Sequence, residues 1–128
     1  MAAFSNYLEN ALINGTLRAT NYTAPTTVYV GLFTTDPTDA GTGTEVSGNA
    51  YARQSATFAA PSDGAASTNA DVQFPQATGS WGTVTHFGIF DALTTGNLLY
   101  HGQLTISKTI DLGDVFKIDS GNLTVTLA

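Results

Sequence analysis

Two segments of this chain are near copies of each other: Tyr29-Val30-Gly31-Leu32-Phe33 and His86-Phe87-Gly88-Ile89-Phe90. Each is an aromatic-rich apolar run with one glycine at its centre. Each then enters a turn, Thr34-Thr35-Asp36-Pro37 in the first case and Asp91-Ala92-Leu93-Thr94-Thr95-Gly96-Asn97 in the second. Glycine weakens a strand interior unless something must approach the backbone closely at that point. Two such strands in one small chain point to a β-core. Gly31 and Gly88 are expected at sheet positions packed against a bulky neighbour.

The rest of the chain agrees with a β reading. At 128 residues it is expected to form one domain, 1–128, long enough to bury a core without staples. It has no cysteine, so disulfides and thiolate sites are absent from its chemistry. Threonine occurs 21 times and alanine 17, a usage that suits half-buried pleated surfaces and close packing. Ten acids against four bases give a net charge of −6, and Arg18, Arg53, Lys108 and Lys117 form no stripe. A phosphate backbone would be repelled, so no nucleic-acid partner is expected. The start, Met1-Ala2-Ala3-Phe4-Ser5-Asn6, lacks the basic and apolar regions of a signal peptide. No stretch approaches the ~20 apolar residues that span a bilayer. Synthesis in the cytoplasm with no membrane partner is the expectation.

One helix is expected, over about residues 5–14. Phe4, Leu8, Ala11 and Leu12 recur at helical spacing, Ser5 or Asn6 can cap the start, and Asn6 with Glu9 has capping-box spacing. Asn14-Gly15 reads as a left-handed stop. A helix this short is not stable alone in water, so it must dock on the sheet or on a neighbour. Seven strands follow: Thr26–Thr35, Ala50–Ala59, Asp71–Phe74, Gly82–Asp91, Leu98–Ser107, Val115–Ile118 and Leu123–Leu127. Turn signals separate them at Asp36-Pro37, Ser47-Gly48-Asn49, Pro61-Ser62-Asp63-Gly64, Gly96-Asn97 and Ser120-Gly121-Asn122. Short strands at this spacing predict a mainly β fold, an antiparallel β-sandwich with one short N-terminal α-helix. Thr38–Asn49 and Pro61–Asn69 lack periodicity and are expected as long loops.

The chemistry-bearing candidates are few. The acidic segment Asp36–Glu45 could fold round calcium, but its acids depart from EF-hand spacing, and Asp-Pro and Asp-x-Gly also form ordinary turns. The expectation is a solvated turn and no metal. His86 and His101 have no carboxylate at a telling sequence spacing and read as strand residues at an edge or interface. Gly79-Ser80-Trp81-Gly82 has neither the spacing nor the helix of a nucleophile elbow. Trp81 is either a core anchor or a platform for a sugar ring. Tyr51 and Arg53 fall on one strand face, where Arg53 can pair with an acid inside the domain or across an interface. No phosphate loop, dinucleotide fingerprint or paired-carboxylate pattern is present, so neither cofactor nor catalysis is expected.

Three of these stretches carry a further signal. Thr27–Pro37, then Gly43-Thr44-Glu45-Val46 and Tyr51-Ala52-Arg53-Gln54, resemble a family of small tailed-phage virion proteins. The second half continues the likeness through Phe74-Pro75, Trp81–Asp91 and Gly113-Asp114. The resemblance implies a structural component of a virion. The first expectation is a capsid cement or decoration protein on the outer capsid surface. It would be a homotrimer bound to the major capsid protein, stabilising the assembled lattice by mass action. The alternative is a tail-fibre or tail-tip component that recognises the host surface. The family offers no catalytic residues, and glycoside hydrolysis would need a carboxylate pair about 5–10 Å apart that no feature nominates. Tyr51, Arg53, Trp81, Phe4, Leu8 and Leu12 are the candidate interface residues.

Overall fold

A computed structural model describes residues 2–127. The strands are β1 (Ala2–Phe4), β2 (Val28–Phe33), β3 (Gln54–Ala56), β4 (Ala65–Ser67), β5 (Val72–Gln73), β6 (Gly82–Phe90), β7 (Leu98–Ile110), β8 (Lys117–Ile118) and β9 (Thr124–Thr126), with one helix, α1 (Asn6–Leu17), after β1. β1, β7, β6, β2 and β3 form a five-stranded antiparallel sheet in that order. Two two-stranded ribbons, β4 with β9 and β5 with β8, make up the rest.

The ribbons close one face of the large sheet. Val30 and Leu32 of β2 and Val84, Phe87 and Ile89 of β6 meet Val72, Phe74, Phe116, Leu123 and Val125 in a single apolar cluster. The sandwich is therefore uneven, one broad sheet opposed by two short ribbons. Alternation along β2 and β6 sends the remaining residues to the opposite face, where Phe33, Phe90 and Leu98 form a second buried cluster. The central pair sets its register with Gly31 directly opposite Gly88. Both near-copied segments thus lie side by side in the middle of the sheet.

Several element boundaries differ from the sequence expectation. Nine strands are present among the described residues where seven were expected, because Ala2–Phe4 and Ala65–Ser67 also pair. The second of these falls within the segment expected as a loop at 61–69. The strand expected over Ala50–Ala59 shrinks to β3, since Asn49 and Ala50 adopt φ of 53° and 70° and turn the chain. β7 runs on to Ile110, and its pairing with β6 slips between Val84 and His86, leaving Leu104–Ser107 outside the ladder.

The helix starts where the polar signal allows, with Ser5 as its cap: the Leu8 N–H donates to Ser5 Oγ at 3.1 Å. The capping box expected from Asn6 and Glu9 does not form, because the cap lies one residue earlier. Nor does Asn14-Gly15 stop the helix, which continues through Gly15 to Leu17. The left-handed residue is Ala19, at φ 54°, and the Arg18 and Thr20 N–H groups both donate to the Asn14 carbonyl at 3.1 Å.

Candidate functional site

The sheet face lined by the two glycines is where the polar residues collect. β2 changes partner along its outer edge: Val28–Val30 pair with β3, while further on the Leu32 carbonyl accepts from the Val46 N–H and the Thr34 N–H donates to the Thr44 carbonyl of a short segment, Thr44–Val46. Between these partners the Leu32 N–H would be left without an acceptor. It donates to the Tyr51 hydroxyl at 2.9 Å. The Tyr51 O–H in turn donates to Glu45 Oε2 at 2.6 Å. Because Gly31 has no side chain, Glu45 and the Tyr51 hydroxyl can lie against the backbone there: a Cβ on Gly31 would stand 2.8 Å from Glu45 Oε2 and 3.2 Å from the phenol oxygen.

Arg53 completes the node. Its Nε donates to Glu45 Oε2 and its Nη2 to Glu45 Oε1, each at 2.9 Å, a two-pronged ion pair. Its Nη1 donates to the Ala92 and Thr95 carbonyls at 3.0 and 2.8 Å, tying in the turn after β6. The guanidinium carbon lies 3.5 Å from the centre of the Phe90 ring. Arg53 therefore pairs inside the domain, on the same face as Tyr51. Its side chain is 9 % exposed and that of Glu45 24 %, so the charges are largely withdrawn from water. Burial, and next the hydrogen bond to Glu45, push the Tyr51 phenol far above its ordinary range. Tyr51, Glu45 and Arg53 thus hold one another and tie the turn after β6 to the edge of β2.

The acidic segment is tied down by its carboxylates. Asp36 accepts from the Thr38 N–H at 2.9 Å, a local turn. Asp39 Oδ1 is 2.7 Å from His101 Nε2, and Glu45 belongs to Arg53. Asp36 also lies 3.8 Å from His101 Nδ1, so two of the three carboxylates face His101 and the third faces Arg53; among the described residues no group of three or more His, Cys, Asp or Glu is arranged to hold a metal. His101 is itself buried, on β7 beside Gly88. Its link to Asp39 has no signature in sequence, because 62 positions separate the two. The Asn6 N–H donates to the Asp39 carbonyl at 2.9 Å, so the same segment also pins the start of α1. His86 only meets its neighbour, Thr85 Oγ1, at 2.8 Å.

The other candidates separate. Trp81 is 5 % exposed; it packs edge-on to Tyr51 and Phe74 and donates its indole N–H to the Asn49 carbonyl at 2.9 Å. It is a core anchor, and no ring face is left free for a sugar. Leu8 is buried beneath the helix, and Phe4 packs edge-on against Tyr100. Leu12 is half-buried on the helix. Of the six candidate interface residues, Tyr51, Arg53 and Trp81 are joined into one interior assembly, whereas Phe4, Leu8 and Leu12 fasten α1.

Exposed apolar residues lie elsewhere. Leu17 and Ile13 project from α1, and an open apolar groove of about 550 Å³ runs between the large sheet and the β4–β9 ribbon, lined by Val28, Phe58, Ile89, Tyr100, Val125 and Leu127. Sequence patterning missed this groove because its walls come from both layers. No helix among the described residues is long and apolar enough to cross a membrane.

The scaffold is mainly antiparallel β, and its Glu45–Arg53 and Asp39–His101 contacts close within the domain. The chain belongs to the family described as podophage GP4 fiber I protein gp80, whose model matches residues 3–126. It is a structural protein of a tailed-phage virion, as the resemblance implied. No curated protein matches the sequence.

Proposed function

We propose that this protein is a subunit of a virion fibre, with the uneven sandwich as a rigid building block. The reading is carried by the match of the fibre family over residues 3–126, nearly the whole chain. The geometry supports it: Glu45–Arg53 and Asp39–His101 clamp the turns and the acidic segment onto the sheet, giving a stiff unit. The fibre alternative therefore takes precedence over the capsid-cement expectation, and the partners of this domain are neighbouring fibre chains rather than the major capsid protein. An acidic, base-poor surface keeps such a subunit clear of packaged nucleic acid.

Imaging of virions decorated with antibodies to this protein tests the reading. Label confined to fibres at the particle supports it. Label spread over the shell in hundreds of copies would replace it with capsid decoration, and particles lacking the protein would then lose heat resistance.

A further inference from the structure

The helix has two apolar sides and only one of them is covered. Leu8 is buried against the domain, while Leu17, about two and a half turns further on and so on the opposite side, is 79 % exposed. Ile13 lies one turn before Leu17, at 53 % exposure, so the two side chains stack as a single knob. Arg18 follows directly, and among the described residues its guanidinium bonds to a neutral group, Asn14 Oδ1, at 3.3 Å and to no carboxylate.

The groove between the large sheet and the β4–β9 ribbon is the matching hole. Its walls are aliphatic and aromatic, and among the described residues the exposed Asp63 is the sole charged one lining it. Asp63 takes part in no ion pair among the described residues. Of the four bases, Arg53 is paired with Glu45, Lys117 with Asp119, and Lys108 lines a different groove. Lys108 stands near another exposed side chain, Ile106 of β7, but Arg18 is the base beside the helical knob, and Asp63 the acid beside the apolar hole.

We infer that the Ile13–Leu17 knob of one copy seats in the Phe58–Tyr100–Val125 groove of a second copy, with Arg18 meeting Asp63. The occupant is a second copy of this chain because both halves of the contact, apolar and charged, are present on one molecule and unused by it. Knob and hole are different surfaces, so the contact is heterologous, and repetition closes a ring or extends a filament. This deepens the fibre reading by naming the partner surface, and it rests on that reading only for its biological setting.

The absence of cysteine allows a direct test with the whole chain in solution. Leu17→Cys protein is mixed with Ala66→Cys protein, Ala66 being a groove residue, under mild oxidation. A disulfide forms only where the two Cα atoms come within about 7 Å. The expected product is a covalent dimer containing one copy of each variant, with neither variant linking to itself. In sedimentation equilibrium, Arg18→Glu and Asp63→Lys each weaken association about tenfold, and the double charge reversal restores it. Circular dichroism confirms that each variant is folded. No mixed dimer, or a double reversal as weak as the single ones, overturns the contact. Neither result depends on where the protein sits in the virion, so the fibre assignment stands or falls by the imaging alone.

Discussion

Gly31 and Gly88 face each other across the central antiparallel pair, each lying where the other's strand has no side chain. The gap between them is filled from the flanks. A Cβ on Gly88 would stand 2.8 Å from Leu98 Cδ1 and 3.0 Å from both Phe33 and Phe90, and one on Gly31 would stand 2.8 Å from Glu45 Oε2. The Leu98, Phe33 and Phe90 atoms belong to a buried cluster, and the Glu45 carboxylate is fixed by Arg53 and Tyr51, so neither neighbour moves aside freely. Alanine at either glycine is expected to cost about 1–3 kcal/mol through overpacking. At about 4 °C of Tm per kcal/mol, differential scanning calorimetry resolves this. An unchanged Tm in both variants would show that the close approaches are not limiting.

The Glu45–Arg53 pair predicts an asymmetry between two substitutions. Arg53→Ala strands a largely buried carboxylate and is expected to cost about 3–5 kcal/mol in urea unfolding. Arg53→Lys retains the charge but loses the planar fork that reaches Glu45 and the Ala92 and Thr95 carbonyls together. It is expected to cost about 2 kcal/mol. Equal losses in the two variants would mean that the fork geometry contributes nothing beyond charge.

Tyr51 makes the fold sensitive to alkali. Burial, reinforced by the hydrogen bond to Glu45, raises its phenol pKa in the folded state above the ordinary value of 10.0. The folded protein then holds the proton more tightly than the unfolded chain. This contribution is complete below about pH 10 and declines as pH climbs further. Tyr51→Phe leaves the Leu32 N–H without its acceptor and is expected to be less stable by about 1–3 kcal/mol at pH 8. The gap should narrow by pH 11, because the variant has no such proton to lose. Tyr22 and Tyr100 are also raised by burial, so the variant keeps a weaker alkaline decline. Urea midpoints of both proteins between pH 8 and pH 11 check this; parallel curves would refute it.

How far these features were legible in the sequence depends on the distance over which each contact acts. The glycine-centred runs read correctly as strands because their pattern is local, whereas Tyr51 and Arg53 precede β3 and share a face through their common partner Glu45 rather than through strand alternation. Glu45 as their partner, and His101 as the anchor of Asp39, required knowing that the chain from 34 to 46 folds back beside β2 and over β7. The missed strands, Ala2–Phe4 and Ala65–Ser67, are three residues each and built of alanine, serine and one phenylalanine. Only their tertiary partners, β7 and β9, make them strands. The helix stop was misplaced because Gly15 tolerates helical backbone, whereas Ala19 is forced left-handed by the hydrogen bonds to Asn14.

The Asp39–His101 contact is expected to act as a latch on the acidic segment. The Thr42 N–H donates to the Pro37 carbonyl at 2.7 Å and the Asn6 N–H to the Asp39 carbonyl at 2.9 Å, so both amides report on whether that segment is seated. Asp39 is half-exposed at the surface, and the contact is worth about 0.5–1 kcal/mol. Asp39→Ala should therefore speed hydrogen exchange at Thr42 and Asn6 by about two- to fivefold, leaving the amides of β2 and β6 unchanged. Exchange that accelerates throughout the sheet would instead make the contact part of the global fold.

Trp81 supplies the last prediction. Its indole N–H reaches the carbonyl of Asn49, a left-handed residue whose side chain also bonds the Ser80 carbonyl at 3.0 Å. A Cβ on Gly79 would stand 2.7 Å from the Asn49 side chain, so the two turns fit closely with Trp81 beneath them. Trp81→Phe keeps most of the packing and loses the hydrogen bond, an expected cost of about 1–2 kcal/mol. Trp81→Ala opens a cavity between Tyr51 and Phe74 and is expected to cost about 3–5 kcal/mol. Thermal melts give the two losses. Native tryptophan emission should be blue-shifted and resist acrylamide quenching, since the ring is 5 % exposed. A well-quenched, red-shifted emission would place the indole at the surface and reopen its role as a ligand platform.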